Sequence, residues 1–291
     1  MMSRETSRGT ASVTKVCAWL GLSRARFYGV GKPRKARGPK APPRVDVTPT
    51  AEAIAAVVAV RDAQPAWGHR KVWATLRARG LRIGRRRVHA LVQAHAPMAT
   101  EAPAREAAPR RGHVVTPDAN RRFATDLTTV WTKEDGLVAV ALTVDCGCRS
   151  VLDVTVTKSQ EAPSILASPD RALERAFGAP EHVPEGMELR CDHGPQYTSA
   201  DARDLCARWG IEQTFAPVGR PTGNAVAERT ILTMKLECIW LRDWTSLAEL
   251  ERALEVWRSM FNDERPHQSL RWWTPTAWRA ARVQTPLALA A

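Results

Sequence analysis

The sequence has no long apolar run of the kind that inserts into a membrane. No segment approaches the roughly 18 uninterrupted apolar residues of a transmembrane helix, and the basic N-terminus has no apolar stretch like that of a secretory signal. The 291-residue chain is 44% hydrophobic, which is enough to bury a full core and favours two folded units over one. We therefore expect a protein of the cytoplasm with no membrane partner.

The sequence also has no cysteine pattern typical of a zinc site. Its six cysteines include no Cys-x-x-Cys pair and have no His-x-x-x-His partner spacing. Cys146 and Cys148 could share a metal ion or a disulfide, but residues two apart in a strand share a face without reaching each other well. Buried, reduced thiols are the favoured interpretation.

Acidic residues are scarce in the first third of the chain. Residues 1–100 hold 20 Lys/Arg and only 4 Asp/Glu, whereas residues 101–291 hold 23 and 26. Neutralising the phosphates of a nucleic acid requires a high local density of Lys and Arg. The asymmetry predicts a polyanion-binding part joined to a differently employed domain, and a solubilising or disordered basic tail is the alternative.

Proline-rich stretches divide the chain. Apolar residues around Gly21 predict two short helices over 12–29, an outline that suits a helix-turn-helix. Helical periodicity returns over 51–96 as a three-helix pattern. The predicted divisions are a helix-turn-helix-like segment (1–30), a basic Pro-rich linker (31–50), a helical DNA-binding domain (51–96), a second linker (97–120), an α/β core (121–280) and a tail (281–291).

Three consecutive arginines open the last predicted helix of the 51–96 domain. Arg85, Arg86 and Arg87 fall in its first turn, where positive charge opposes the helix dipole. A nearby phosphate backbone would explain that placement. These arginines, together with Arg70 and Lys71 on the preceding helix, are candidate DNA contacts. A solvated basic face on an ordinary helical bundle is the competing interpretation.

The core opens with three strand-like runs. FATDLTTVW (123–131), LVAVALTVD (137–145) and RSVLDVTVT (149–157) are joined by turns short enough to predict an antiparallel meander. Two further strands, MELRC (187–191) and IEQTF (211–215), alternate with helices. We predict an α/β fold, with an RNase H-like mixed five-stranded sheet and flanking helices, preceded by small all-α helix-turn-helix modules.

Capping residues predict where the helices of the core begin. Ser168-Pro169-Asp170 supplies a candidate N-cap, a proline at the first helical position and an acid in the first turn of a helix that ends near Gly178. A second helix is expected over Ser199 to Trp209, and a long helix from about Gly223.

Three carboxylates occupy positions that favour function. Asp126 stands mid-strand, where a purely structural sequence would prefer Thr or Val. Asp192 directly follows the MELRC strand, a common position for a functional group in mixed sheets. Glu228, separated from Asp192 by 35 residues, lies on the long helix that can return over the sheet. Any one of these acids alone would more often be a surface charge, so only their combination indicates a site.

Three converging carboxylates offer the hard oxygen ligands that Mg²⁺ or Mn²⁺ prefers. Two such ions about 4 Å apart would activate an attacking water or 3′-hydroxyl and stabilise the leaving 3′-oxygen of an in-line displacement. The sequence therefore predicts a site for two Mg²⁺ (or Mn²⁺) ions.

Four motifs together resemble a known family. They are Asp126-Leu-Thr128, CDHGPQYTS (191–199), GNAVAERTILTMKLE (223–237) and FNDERPHQSLRWWTP (261–275). They resemble the insertion sequence 3 family transposases of the second-reading-frame (OrfB) type, which share the retroviral-integrase catalytic core. The resemblance covers nearly the whole chain.

The resemblance implies Asp126, Asp192 and Glu228 as the metal-binding triad of an integrase-like catalytic core over 121–280. It also implies that Lys235 contacts DNA phosphate near the active site. Lys235 comes seven residues after Glu228, so both face one side of the helix, and pairing with Glu228 or Asp192 is its alternative role. Asn224 either positions the loop before this helix, touches DNA, or simply caps the helix.

Other acids and two departures qualify this picture. Asp145, Asp153 and Glu237 also lie on strands or on the long helix, but none matches the motif. Gly223 stands where the family often has Asp or Ser, and Arg229-Thr-Ile stands where a Ser and aromatics are frequent. Neither departure removes a metal ligand.

The function implied is metal-dependent cleavage and strand transfer of insertion-sequence ends by in-line transesterification. The partners implied are double-stranded DNA, comprising terminal inverted repeats and target, a homo-oligomer on that DNA, and an upstream-frame (OrfA-type) partner or fusion. The setting implied is the bacterial nucleoid. A catalytically inactive, transposase-derived repressor is the alternative. An RNase H-like nuclease acting on RNA–DNA hybrids would explain the acids but not the basic helical modules.

Overall fold

The computed structural model describes residues 13–19, 21, 48–96, 116, 118–216 and 224–283. Contacts within the chain define two compact units, 1–45 and 46–291. The described part of the first unit contains α1 (Val13–Trp19). The second predicted helix of the N-terminal segment, and most of both predicted linkers, lie outside the described residues.

The second unit begins with the three helices expected from periodicity. They are α2 (Thr50–Ala63), α3 (His69–Ala78) and α4 (Arg85–His95). They pack around buried side chains that include Trp67, Val72 and Val88. Below, α2 to α4 are called the helical module.

A five-stranded mixed sheet forms the centre of the rest of the unit. Its strand order is β3-β2-β1-β4-β5, with β1 to β3 antiparallel and both β4 and β5 parallel to β1. Three antiparallel strands followed by two parallel ones are the RNase H-like arrangement, so the predicted fold class is confirmed. The strands are β1 (Arg122–Thr132), β2 (Gly136–Asp145), β3 (Val151–Thr157), β4 (Glu188–Cys191) and β5 (Glu212–Phe215).

Helices cover both faces of this sheet because successive strand residues alternate between the faces. Val140 and Leu142 of β2 join the core formed with the helical module, α8 and α9, whereas Ala139 and Ala141 join the core formed with α5 and α7. The helices are α5 (Ala162–Phe177), α6 (Pro195–Thr198), α7 (Ala200–Trp209), α8 (Ala225–Glu237), α9 (Leu247–Asp263) and α10 (Pro275–Val283).

The predicted start of α5 is wrong. The helix begins at Ala162, so Ser168 and Pro169 lie inside it rather than at its start. Both are buried with Leu166 and Leu173 against the sheet, and this burial outweighs the low helix propensity of proline. The end of the helix at Gly178, where φ is 77°, agrees with the prediction.

A buried ion cluster joins the helical module to α8. Lys71 Nζ lies 2.6 Å from Glu237 Oε1, and Arg265 Nε lies 2.9 Å from Glu237 Oε2. The Glu237 side chain is only 3% exposed. Burial alone would raise the pKa of Glu237, but Arg265 and Lys71 hold it below its ordinary value. The carboxylate is therefore the shared anchor of two cations.

We expect Glu237→Gln to lower the free energy of unfolding by about 3 kcal/mol, because removing one partner of a buried ion pair leaves uncompensated charge. Urea denaturation measures this change. Glu251→Gln, at an exposed position of α9, is the control and should leave the midpoint unchanged. Equal midpoints for both variants would contradict the anchoring role.

Candidate active site

Strand register brings Asp126 and Asp192 together. Ala124 of β1 pairs with Arg190 of β4 in parallel register. Asp126 and Asp192 each lie two residues further along, at the same level of neighbouring strands and on the same side. The sheet thus places side by side two carboxylates that are far apart in sequence.

Asn224 fixes the start of α8 against β1, next to Asp126. Its side chain is buried, and its Nδ2 donates a hydrogen bond to the carbonyl oxygen of Thr125, 3.0 Å away. Its own carbonyl oxygen accepts the backbone N–H of Glu228 at 3.1 Å. Asn224 therefore occupies the N-cap position of α8, but its side chain makes no capping hydrogen bond. The contact ties the helix that carries Glu228 to the residue beside Asp126.

The three carboxylates act on one another electrostatically. The pKa of Asp126 is raised to about 6, mainly by burial and in addition by the charges of Asp192 and Glu228, against the opposing effects of the Leu127 N–H and Lys235. Burial and the charge of Asp192 also raise the pKa of Glu228. Such coupling requires the three groups to lie near one another. Asp126, Asp192 and Glu228 therefore lie near enough to affect one another's pKa, and their joint role as metal ligands stays a prediction.

The loop after β4 shapes the position of Asp192. The backbone N–H of Gly194 donates to Asp192 Oδ1 at 2.8 Å. A Cβ at residue 194 would lie 2.9 Å from that oxygen, so a larger residue there would displace the Asp192 carboxylate. Beneath the loop, the buried Tyr197 hydroxyl lies 3.4 Å from Thr125 Oγ1. Sequence reasoning overlooked these supports, although the CDHGPQYTS motif contains both of them.

The donor set fits a divalent cation. Among the described residues, no three His, Cys, Asp or Glu side chains stand close enough to form a complete metal cluster. Mg²⁺ typically uses one or two carboxylates together with waters and substrate phosphates, so a complete protein cluster is not required. The carboxylate oxygens of Asp126, Asp192 and Glu228 are hard ligands and match that chemistry. Repulsion among these carboxylates raises the pKa of Asp126 and of Glu228, and a bound cation would relieve it.

The other candidate carboxylates have structural roles. Asp145 Oδ1 accepts the backbone N–H of Gly147 at 2.7 Å in the β2–β3 turn. Asp153 is paired with Arg171 and Arg175 at 3.1 and 3.0 Å. With Glu237 held in the buried ion cluster, none of the three competes for the metal site.

The arginines at the start of α4 have different surroundings. Arg85 and Arg86 are exposed. The Arg87 guanidinium instead donates hydrogen bonds to the carbonyl oxygen of Thr48 and to Thr50 Oγ1, at 3.2 and 2.9 Å. Two of the three predicted contacts therefore present their charge to the surface, and Arg87 helps to hold the module together.

The remaining predicted DNA contacts also differ from one another. Arg70 is exposed, whereas Lys71 is committed to Glu237. Lys235 makes no ion pair within the described part of the chain, and its Nζ lies 5.8 Å from the centre of the Trp240 ring. Its charge lowers the pKa of Asp126, so it lies near the carboxylates as expected. Pairing of Lys235 with Glu228 or Asp192 is not observed.

The fold and the carboxylate site define an RNase H-like polynucleotidyl transferase core of the Asp-Asp-Glu class. Models of the integrase core domain match residues 117–221 and 209–275, which together cover more than half of the chain. The chain belongs to the integrase-core family, and its curated relatives include insertion-sequence transposases, in agreement with the predicted resemblance. Proteins of this class act on DNA and depend on a divalent metal.

Two curated relatives and one solved structure illustrate the similarity. An uncharacterized 31.7 kDa protein of insertion element IS407 from Burkholderia multivorans is 28% identical over 148 residues, 51% of each chain, so the match spans about half of that relative. The transposase InsD of insertion element IS2 from Escherichia coli is 25% identical over 75% of each chain. A chain of the simian T-cell lymphotropic virus intasome is 17% identical, covering 81% of this chain and 78% of its own, with a TM-score of 0.48.

The helices of the described residues are all too short or too polar to cross a membrane. Their six cysteines are free, and five of them are buried. The predicted burial of the thiols is thus confirmed for five of the six cysteines.

We expect Asp126→Asn to stabilise the metal-free protein above pH 6. A carboxyl whose pKa is raised by folding favours the folded state while protonated, so stability falls as pH rises from about 4 to about 6 and stays low above. The variant lacks this fall, so its free energy of unfolding should exceed that of the wild type by about 3 kcal/mol at pH 7. Urea denaturation at several pH values measures the difference.

In the same titration, adding Mn²⁺ should raise the stability of the wild type more than that of Asp126→Asn, because the ion relieves the repulsion. A difference between the two proteins that does not change with pH would contradict the assigned environment of Asp126.

Proposed function

We propose that this protein cleaves the ends of an insertion sequence and joins them to target DNA, with Asp126, Asp192 and Glu228 as the catalytic ligands of two Mg²⁺ (or Mn²⁺) ions. The observation that carries the proposal is the placement of these carboxylates: the parallel register of β1 and β4 brings Asp126 near Asp192, and the Asn224–Thr125 hydrogen bond fixes the helix that carries Glu228. When bound, the ions supply Lewis-acid activation of the attacking hydroxyl and stabilise the leaving 3′-oxygen.

The chain's own residues orient the reaction. Asp126 and Asp192 are held by backbone hydrogen bonds from Leu127 and Gly194, both 2.8 Å long. In the displacement, the oxygen of a water or 3′-hydroxyl forms a new bond to phosphorus, in line with the bond from phosphorus to the leaving 3′-oxygen. That second bond breaks, and the leaving 3′-oxygen keeps its electron pair. Both steps are direct transfers, so no nucleophilic side chain is needed.

Lys235 is the proposed phosphate contact beside the triad. It shares a face of α8 with Glu228, two helical turns away, and within the described residues no acid neutralises it. A lysine in this position binds phosphate as a point charge. Asn224 acts through α8 as a positioning residue rather than through DNA.

The helical module and an oligomer are proposed to complete the DNA complex. Arg70, Arg85 and Arg86 are exposed for contact with terminal inverted repeats. Trp131 and Trp240 are 68% and 60% exposed, and large exposed apolar groups of this kind favour association with a second copy. An upstream-frame partner or fusion, and association with the bacterial nucleoid, follow from the family resemblance.

Asp192→Asn should abolish cleavage and joining of element-end DNA in Mg²⁺ or Mn²⁺ while leaving DNA affinity within about twofold, because the change removes a metal ligand without changing the side chain's size. Gel assays of end cleavage and strand joining test this expectation. Asp204→Asn, at an exposed position on α7, is the control. If Asp192→Asn joined DNA ends at the wild-type rate, the metal assignment would be wrong. Binding of element ends by the wild type without any cleavage or joining would instead identify a DNA-binding repressor.

Replacing Arg85 and Arg86 together by Ala should lower the slope of log affinity against log salt by about 2, since each lost phosphate contact accounts for roughly 0.9. Fluorescence anisotropy with element-end duplexes from 50 to 200 mM salt measures the slope. Arg203→Ala, an exposed position outside the helical module, serves as the reference. An unchanged slope would remove the start of α4 from the DNA interface.

A further inference from the structure

A cavity of about 570 Å³ lies between the helical module and the core, away from the three carboxylates. It is bounded by the start of α3, one face of α8 and the segment 265–272, and this volume falls within the range of small-molecule binding pockets. We call it the α3–α8 pocket. The segment belongs to the FNDERPHQSLRWWTP motif, which the proposed catalytic site does not use.

The lining of the α3–α8 pocket is strongly basic. Five of its lining residues are Lys or Arg, and none is Asp or Glu. Lys71 and Arg265 share the single charge of Glu237 behind the wall, so that cluster keeps a net positive charge. Within the described part of the chain, Arg70, Arg149 and Arg229 form neither an ion pair nor a side-chain hydrogen bond. Concentrated positive charge without an internal counterion is typical of a polyanion site.

The wall formed by the 265–272 segment is conformationally strained. Arg271 and Trp272 are consecutive non-glycine residues with φ of 56° and 72°, a left-handed conformation that bulky side chains rarely adopt. The strain is maintained by a hydrogen bond from the Trp272 N–H to the carbonyl oxygen of His267, 2.8 Å long. The Trp272 ring consequently lines the pocket and meets Trp73 of α3 edge to face, with centroids 6.1 Å apart. Strained positions of this kind cluster at ligand sites.

The pocket and the carboxylate site share α8. Arg229 lines the pocket and directly follows Glu228, and consecutive residues of an α-helix point about 100° apart. The two sites therefore lie on neighbouring faces of one helix, whose diameter with side chains is about 10–12 Å. A strand that passes the carboxylates is close enough to place a nearby phosphate in the pocket.

We propose that the α3–α8 pocket binds a backbone phosphodiester of the DNA processed at the carboxylate site, with Arg149 and Arg229 as its ligands. The pocket would hold the substrate backbone across the junction of the helical module and the core. This inference rests on the proposed function, because it assumes that DNA runs past Glu228. Duplex DNA and an unpaired strand offer the same phosphodiester chemistry.

The test is the affinity of Arg149→Asn/Arg229→Gln for DNA in metal-free buffer, where no reaction occurs. Asn is chosen at 149 because φ there is 64° and Asn tolerates that conformation. The probes are a fluorescein-labelled element-end duplex and one of its strands alone. The matched control is Arg203→Gln/Arg252→Gln, which removes two exposed arginines outside the pocket.

We expect the double variant to bind at least one probe about tenfold more weakly than the control, with a salt slope lower by about 2. Weakening on both probes would identify duplex backbone, and weakening on the single strand alone would identify an unpaired strand. Affinities equal to those of the control on both probes would overturn the proposal. Arg229→Gln alone, at an exposed helix position, gives the same test if the double variant unfolds.

Failure of this proposal is separable from failure of the proposed function. Normal DNA joining by Asp192→Asn would reject the catalytic assignment, and the measured effect of the pocket variant on DNA affinity would be unaffected. Conversely, if Asp192→Asn were inactive and the pocket variant bound DNA normally, the catalytic assignment would be supported and only the pocket proposal would be rejected.

Discussion

Repulsion among three carboxylates is the constraint on which the structure's function depends. Asp126, Asp192 and Glu228 are held within one another's electric field, and burial of Asp126 makes its charge still more costly, which raises its pKa to about 6. A fold selected for stability alone would remove such an arrangement, because partly buried like charges oppose folding. A divalent cation reverses the sign of this interaction and makes the same geometry favourable.

The fold concentrates the charges by several independent means. Parallel pairing of β1 with β4 sets Asp126 beside Asp192, and the Asn224 bond to Thr125 fixes the helix that brings Glu228. At the far end of α8, the buried Glu237 cluster attaches the same helix to the helical module. One helix therefore connects the proposed metal ligands, the proposed phosphate-binding pocket and the helical module.

The sequence predicted the strands and their RNase H-like order because both depend on local pattern and spacing. The catalytic triad, which the family resemblance implied, stays a prediction. Sequence reasoning failed where tertiary burial decided the outcome. The Ser168-Pro169 pair has the form of a helix start, but packing against the sheet places it inside α5. Lys71 has the form of a DNA contact, yet its partner Glu237 lies 166 residues away. Asn224 similarly has the form of a cap, and its bond to Thr125 depends on a strand that sequence spacing cannot locate.

A crystal structure of the protein with Mn²⁺ and an element-end duplex, recorded with anomalous scattering from manganese, tests the central claim most directly. The account predicts manganese peaks coordinated by oxygens of Asp126, Asp192 and Glu228, with a DNA phosphate completing the coordination. Peaks located at other acids, such as Asp145 or Asp153, or DNA bound with no manganese at the triad, would contradict it.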